Sequence, residues 1–333
     1  MLAMQLTKPG PIAQRPLQLV DAPLPVPGPA DLLVRVSVCG VCHTDLHEAE
    51  GDLPLPRLPV IPGHQAVGPV VDRGPQVHDV RVGERVGIAW LQETCGTCAY
   101  CHSERENLCP SARFTGWSVD GGYAQYVCVP AAFAYRIPAS FPDLQAAPLL
   151  CGGIIGYRAL RLSGIQGGQR LGLYGFGASA HVAIQVARHW GCEVYVFTRS
   201  AGNQVLARKL GAAWAGTSRD DPGAKMHASI MFAPAGQLVP EALALLAPGG
   251  TLALAGIHMS EIPPLDYARH LYRENVLRSV ANATRRDGEG LLALAAGVPI
   301  RTEVTAFALE QANEALLAVK TSALSGAAVL TVA

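Results

Sequence analysis

Charge is scarce in this 333-residue chain: 16% of residues are Asp, Glu, Lys or Arg, and the formal net charge is zero. A surface that holds nucleic acid through excess Lys and Arg is therefore not expected, and nucleic-acid partners drop out of the reading. Long apolar runs are also missing, since no uninterrupted stretch reaches the ~18 residues of a membrane span. The opening Met1-Leu2-Ala3-Met4-Gln5 lacks the basic-then-apolar order of a secretory signal. These absences lead to the expectation of a soluble, cytoplasmic protein with no membrane partner. Aromatic residues make up only 6%, too few to indicate what a binding face would prefer. Half of the residues are hydrophobic, which argues against disorder, and the length exceeds one ordinary core. Internal repeats and low-complexity segments are absent.

What the chain has is cysteine and proline, unevenly placed. Eight of nine cysteines and 18 of 25 prolines lie at or before position 151, so a domain boundary is expected near residue 150. An odd cysteine count without a signal peptide favours reduced thiols and metal over disulfides. The strongest local pattern is Cys95-Gly-Thr-Cys98-Ala-Tyr-Cys101, then Cys109: four thiolates within fifteen residues. Such a set can close a tetrahedron around Zn²⁺ and staple a loop with little apolar content. An iron–sulfur cluster is the rival, because thiolates suit either metal.

The richest stretch is Cys42-His43-Thr44-Asp45-Leu46-His47, after a strand expected over Leu32 to Val38, where valines alternate with polar residues. Taken alone it reads as a polar turn with one buried cysteine. Pro62-Gly63-His64 follows a proline-rich loop from Leu53 and precedes a short strand at Pro69 to Asp72. A glycine at a strand edge makes a rigid placement for a ligand, although a lone histidine needs partners to be one. Arg81 to Trp90 reads as a further strand region, so the first half is a small β-rich, barrel-like unit.

The second half changes period. Leu171 to Tyr174 is a short apolar strand, followed by Gly175-Phe-Gly177-Ala178-Ser-Ala180 and a helix with an apolar stripe at Val182, Ala183, Val186, Ala187 and Trp190. This is the G-x-G-x-x-A dinucleotide fingerprint in its required setting. Gly175 permits the turn, Gly177 lets pyrophosphate approach, and Ala180 keeps helix and strand close. The strand Glu193 to Phe197 ends in Thr198-Arg199-Ser200, where an acidic residue would bind the ribose of NAD. Hydroxyls and a guanidinium suit a 2′-phosphate instead, so NADP is favoured over NAD. Strands over Ala228 to Phe232, Thr251 to Gly256 and Val276 to Val280, a helix from Val239 and a turn at Ala247-Pro-Gly-Gly250 make this half a doubly wound parallel sheet. Helices near Leu291 to Ala296 and Leu309 to Lys320 and a strand at Ala327 to Val332 close the chain.

Read together, Cys39-Gly-Val-Cys42-His-Thr-Asp-Leu-His47, Pro62-Gly-His64, the four-cysteine lobe, Leu150-Cys151-Gly-Gly and Gly175-Phe-Gly177 resemble the zinc-dependent alcohol dehydrogenases of the medium-chain dehydrogenase/reductase superfamily. The resemblance runs essentially end to end. It implies an α/β protein with a GroES-like β-rich catalytic domain over 1–151, carrying a structural-zinc lobe at 93–112. A Rossmann domain over 152–284 and a return to the catalytic domain over 285–333 would follow. By matched position, Cys42, His64 and Cys151 hold a catalytic zinc with one position left open, and Cys39 does not, despite its C-x-x-C spacing. Thr44 matches the hydroxyl that bonds substrate oxygen, and His47 the base at the far end of a proton relay through the nicotinamide ribose. His43 matches a group near the cofactor phosphates, Asp45 the carboxylate that orients the zinc-bound histidine, and Trp90 a substrate-pocket wall with Trp117 near it.

Two departures stand out. Gln65 replaces the family's glutamate and cannot serve as an anionic alternative ligand. Leu324-Ser325-Gly326 offers no basic residue to the pyrophosphate, which throws cofactor affinity onto Arg199 and His43. The expected activity is hydride transfer between NAD(P) and small alcohols, aldehydes or ketones, with two zinc ions per chain, in a dimer or tetramer. The alternative is an NADPH-dependent carbonyl reductase on the same fold. The zinc-independent quinone or enoyl reductases of that fold would lack the Cys42, His64 and Cys151 set. A zinc-dependent binding module built on the lobe is the non-enzymatic rival, and the neutral charge disfavours it.

Overall fold

The computed structural model describes residues 1–298, 300–324 and 326–332; Ser325 of the C-terminal expectation lies outside them. The chain forms two compact units, Met1–Cys151 with the segment from Thr284 onward, and Gly152–Ala283.

The first unit is built on a sheet of strands in the order Ala134–Arg136, Arg85–Ile88, Ala66–Arg73, Val38–Val41, Ala327–Thr331, Val304–Ala308. Asp31–Arg35 pairs with both Ala66–Arg73 and Tyr126–Pro130, which curls the sheet towards a barrel. The single strand expected over Leu32 to Val38 is in fact two, Asp31–Arg35 and Val38–Val41. Partners change at the break: Val36 donates to Gln125 O and Ser37 to Val67 O, after which Ala327–Thr331 takes over the pairing. Gly68 permits the crossing, since a Cβ there would lie 1.9 Å from Arg35 O. A core of Leu32, Val34, Val36, Cys39, Val70, Ile88, Tyr123, Val127 and Leu330 fills the interior. The C-terminal segment lies directly beside the strand that delivers Cys42, Leu330 facing Cys39 and Ala328 facing Val41.

The second unit is a parallel sheet in the order Trp214–Gly216, Glu193–Phe197, Arg170–Tyr174, Met226–Met231, Leu246–Leu254, Val276–Ser279. Numbered along this unit, that is 3-2-1-4-5-6, the Rossmann order. The turn expected at Ala247-Pro-Gly-Gly250 lies instead inside the strand Leu246–Leu254. Met226 faces Leu246 and Ala228 faces Thr251, so the intervening residues bulge out around Gly249 (φ 74°) and the ladder resumes. Helix Gly152–Ser163 packs on helix Ala178–His189, where a Cβ on Gly156 would lie 3.0 Å from Ser179 O. None of the described helices is long and apolar enough to cross a membrane.

Candidate active site and metal centres

The stretch Cys42 to His47 is the first turn of a helix, His43–Glu50, and Cys42 is its N-cap. Asp45 closes the cap by accepting from Cys42 N at 2.9 Å, while Cys42 Sγ accepts from Thr44 N at 3.4 Å. A capping box of this kind contributes about 1 kcal/mol and fixes the thiol's direction. Leu46 and Ala49 turn into the core, and Asp45 and Glu48, one turn apart, are both fully buried.

His64 comes from the turn before strand Ala66–Arg73, and Gly63 there has φ 98°. A Cβ on Gly63 would lie 2.3 Å from a Tyr123 ring carbon, so only glycine fits. His64 Nε2 lies 3.4 Å from Cys42 Sγ, and Cys151 Sγ lies 3.9 Å from the same sulfur. The three ligand atoms are mutually within 4.8 Å. A tetrahedral zinc with bonds of ~2.3 Å to sulfur and ~2.05 Å to nitrogen has edges of roughly 3.8 Å (S···S) and 3.5 Å (S···N), which these spacings match. Asp45 Oδ1 sits 3.1 Å from His64 Nδ1, although the alignment falls short of a straight hydrogen bond. Burial opposes a charge on His64, but Asp45 and Cys42 outweigh it and its pKa rises well above the usual histidine value. The neighbouring Cys151 thiol and burial push the Cys42 thiol well up, so deprotonating Cys42 calls for a compensating cation. Cys39, also buried, points its sulfur at Gly40 O (3.6 Å) and is not among the three.

Beside His64, the Trp90 ring stands edge-on at 5.0 Å between centroids. Trp90 stacks on Phe114 (5.2 Å), and Trp117 packs against both. Sequence reasoning found both tryptophans and missed Phe114, which no spacing rule marks. It also missed Glu48, a fully buried carboxyl with neither oxygen hydrogen-bonded. Burial, then the charge of Asp45, raises its pKa well above the carboxylate range. Gln65, adjacent to His64, is buried with its Nε2 unpartnered. Of the relay candidates, Thr44 is nearly buried and His47 Nδ1 lies 3.0 Å from Asp52 Oδ2. His43's ring centroid is 6.5 Å from that of His47, and burial, then His47, lowers its pKa.

The second cluster is local. Cys95, Cys98, Cys101 and Cys109 converge with Sγ–Sγ separations of 3.6 Å (Cys98–Cys101, Cys95–Cys109) and 4.0 Å (Cys95–Cys101). These are edges of a tetrahedron around a single ion and too long for disulfides, whose S–S bond is ~2.05 Å. Thr97, through backbone and side-chain hydrogen bonds, draws Cys95 down to about 6. The lobe is tied to the C-terminal segment of its own unit: Arg285 N donates to buried Glu106 (2.9 Å), and Arg286 pairs with Glu104 (2.5 Å).

In the second unit the fingerprint takes its expected form. Gly175 has φ 84° and its would-be Cβ meets Ala233 N at 2.9 Å. A Cβ on Gly177 would meet nothing within 4 Å, and Gly177 caps helix Ala178–His189 without a side-chain hydrogen bond at the cap. Room beside a glycine at a helix N-terminus suits the approach of a pyrophosphate. Ala180 is fully buried. Thr198 is held by Gly216 O and Gln204, and Ser200 Oγ caps helix Ala201–Lys209 through Asn203 N (3.3 Å). Arg199 is exposed.

The alcohol dehydrogenase GroES-like domain matches residues 28–139, and the zinc-binding dehydrogenase family matches residues 180–297. A Mycobacterium tuberculosis protein, "Probable alcohol dehydrogenase AdhA", is 49% identical over 337 residues, covering 100% of this chain and 97% of its own. The chain belongs to the zinc-dependent alcohol dehydrogenases. An alcohol dehydrogenase of Geobacillus stearothermophilus is 36% identical over 95% of this chain and 96% of its own. A thermostable alcohol dehydrogenase from Pyrobaculum aerophilum, solved with cobalt and zinc bound, superposes with a TM-score of 0.91 at 25% identity, over 99% of each chain. Membership in this medium-chain dehydrogenase/reductase family makes the protein an oxidoreductase that interconverts alcohols and aldehydes or ketones with a nicotinamide cofactor, on a GroES-like and a Rossmann unit.

Proposed function

We propose that the reaction is carried by Cys42, His64 and Cys151 holding one catalytic zinc, with Thr44 and His47 moving the proton. The supporting observation is the spacing of the three ligand atoms, all from one unit and matched to a tetrahedral ion with a fourth position to spare. A zinc held there would act as a Lewis acid on the substrate oxygen, and a bound nicotinamide would exchange the hydride. Thr44 takes the alcohol proton at its hydroxyl while passing its own proton along the path, and His47 receives a proton at the end. Asp45 orients His64 from behind. Trp90, with Trp117 and Phe114, forms an apolar wall next to His64 that favours small alcohols and aldehydes with an apolar body. Cys95, Cys98, Cys101 and Cys109 hold a second, structural zinc. The test is Cys42→Ser: zinc per chain should fall from two to one and turnover should vanish, and full activity in that variant would sink the assignment.

Arg199, exposed at the strand end beside the N-terminus of helix Ala201–Lys209, supports a 2′-phosphate and hence NADP over NAD. The hydroxyl of Ser200 is already committed to a helix cap, so Arg199, with the Thr198 hydroxyl, carries most of this preference. The same preference supports the alternative emphasis, an NADPH-dependent carbonyl reductase. Steady-state assays of primary, secondary and aromatic alcohols with both cofactors decide between them; a strong NAD preference would overturn the reading of Thr198-Arg199-Ser200. A homo-oligomer is supported by strand Val276–Ser279, which lies at the end of its sheet with Val276 (45%), Tyr267 (67%) and Tyr272 (69%) exposed nearby in sequence. A cytoplasmic location is supported by nine cysteines without a disulfide.

A further inference from the structure

The helix that carries Cys42, Thr44 and His47 ends at Gly51, in the left-handed conformation with φ 86°. The turn that follows is fastened to one residue. His47 O accepts from Gly51 N at 3.0 Å and from Leu53 N at 3.1 Å, and between those two anchors Asp52 sets its carboxylate 3.0 Å from His47 Nδ1. Backbone and side chain of the turn are thus both referenced to His47, so little side-chain freedom remains to be lost in making the pair. Proline 9 packs under the turn, with its Cβ 3.2 Å from where a Gly51 Cβ would be.

Donor and acceptor chemistry then decides the tautomer. Asp52 is 62% exposed at its side chain, and an ionised carboxylate can only accept hydrogen bonds. The proton of neutral His47 must therefore reside on Nδ1, and the lone pair that can receive another proton is on Nε2. We infer that Asp52 is a positioning residue for the proton path: it fixes His47 in the Nδ1–H tautomer, presents Nε2 as the accepting atom, and steadies the imidazolium once the proton arrives. The inference rests on the reading of His47 as the terminal base. The step balances simply. An O–H bond of the path breaks, an Nε2–H bond forms, Asp52 stays ionised, and the proton leaves from Nε2 to solvent. On the same helix, His43 lies 6.5 Å away between ring centroids and Glu50, on the last turn, is paired with Lys320 at 2.7 Å. Neither of them contacts Nδ1 in place of Asp52. The arrangement uses the same logic by which a carboxylate orients the histidine of a hydrolase triad, here on an exposed pair and so with a smaller expected effect.

The experiment uses the full-length, zinc-loaded protein in four forms: wild type, Asp52→Asn, Asp52→Ala and His47→Gln. In alcohol oxidation at neutral pH, His47→Gln is expected to lower kcat by about a hundred-fold or more. Each Asp52 variant should lower kcat by about ten-fold with the cofactor KM unchanged. Asp52→Ala added to His47→Gln should cost nothing further. Histidine-selective ¹⁵N spectra, with the His47 signal assigned from its loss in His47→Gln, should show an Nδ1–H ring in wild type and a mixed or Nε2–H ring in Asp52→Ala. If His47→Gln is fully active, the relay reading itself fails. If His47→Gln is impaired but both Asp52 variants keep wild-type kcat and the Nδ1–H ring, the role of Asp52 is overturned while the relay stands. An Asp52→Ala effect that persists undiminished in the His47→Gln background means that Asp52 acts through the fold, which also overturns it.

Discussion

The two cysteine-bearing clusters hold the same kind of ligand and are built in opposite ways. Cys95, Cys98, Cys101 and Cys109 lie within fifteen residues, on a lobe with a four-residue helix, Ala99–His102, that buries none of its residues, and a 3-10 turn, Glu106–Leu108, whose buried residues are polar. Cys42, His64 and Cys151 come from a helix cap, a strand edge and the last residue before the second unit, and each is aimed by a different piece of secondary structure. With a metal bound, the first arrangement would be a cross-link that makes up for a sparse core; the second is held by a core that exists without it. Metal should therefore be worth stability in the lobe and chemistry in the buried cluster.

Cys98→Ser breaks the comparison most directly. Losing one of four ligands should unfasten the lobe and lower stability by on the order of 2–4 kcal/mol, the size of removing a native cross-link. Thermal unfolding and zinc content read this out. The Cys42→Ser variant, by contrast, should unfold within a few degrees of wild type while losing turnover. If Cys98→Ser is as stable as wild type, the lobe is not a staple and the contrast collapses.

The backbone supplies a sharper version. Gly63 and Gly96 both sit at positive φ, 98° and 70°, one beside His64 and the other within the lobe. A methyl at Gly96 would meet nothing within 4 Å, whereas one at Gly63 would enter the Tyr123 ring. Gly96→Ala should cost about 1 kcal/mol of backbone strain. Gly63→Ala adds a clash in a packed core and should cost about 3 kcal/mol, with loss of activity as His64 shifts. Denaturant midpoints of the two variants measure the difference, and equal values would mean that Tyr123 yields freely.

The same contrast explains what could be read from the sequence. The lobe was legible because its ligands are close in sequence, and so was the fingerprint Gly175-Phe-Gly177, because a strand, a turn and a helix meet there within a few residues. Spacing alone would have chosen Cys39 over His64 and Cys151 as the partner of Cys42; only the likeness to a known family corrected it. The split of the strand at Val36-Ser37 was invisible because the alternation of valines continues across it, and only the arrival of a new partner from residues 327–331 ends one ladder and starts another. The bulge at Ala247 to Gly250 reads as a turn for the opposite reason, since Pro-Gly-Gly marks a reversal unless the ladder resumes beyond it. Asp52 and Glu48 carry no signal at all. A carboxylate matters at those positions only because the turn after the helix places Asp52 against His47 and the helix buries Glu48.

Glu48 offers the smallest effect and the finest test of the buried cluster. Its carboxyl is fully buried one turn beyond Asp45, with neither oxygen hydrogen-bonded, and its pKa is raised by burial first and by Asp45 second. A carboxyl whose pKa is higher folded than unfolded stabilises the fold most below its unfolded pKa. That contribution is lost as pH rises from ~4.3 towards the folded value, because the unfolded chain releases the proton first. Over that window one such group lowers unfolding free energy by up to about 1.4 kcal/mol per pH unit. Glu48→Leu removes the titrating group and the desolvated carboxyl together, so the variant should match or exceed wild-type stability at pH 7 by about 1 kcal/mol and show a flatter dependence between pH 5 and 7. Denaturant unfolding at a series of pH values provides the measurement. A variant that is less stable at pH 7, with the slope unchanged, would mean that Glu48 is ionised and paired, making it part of the charge balance around His64 instead of a neutral acid in the core behind it.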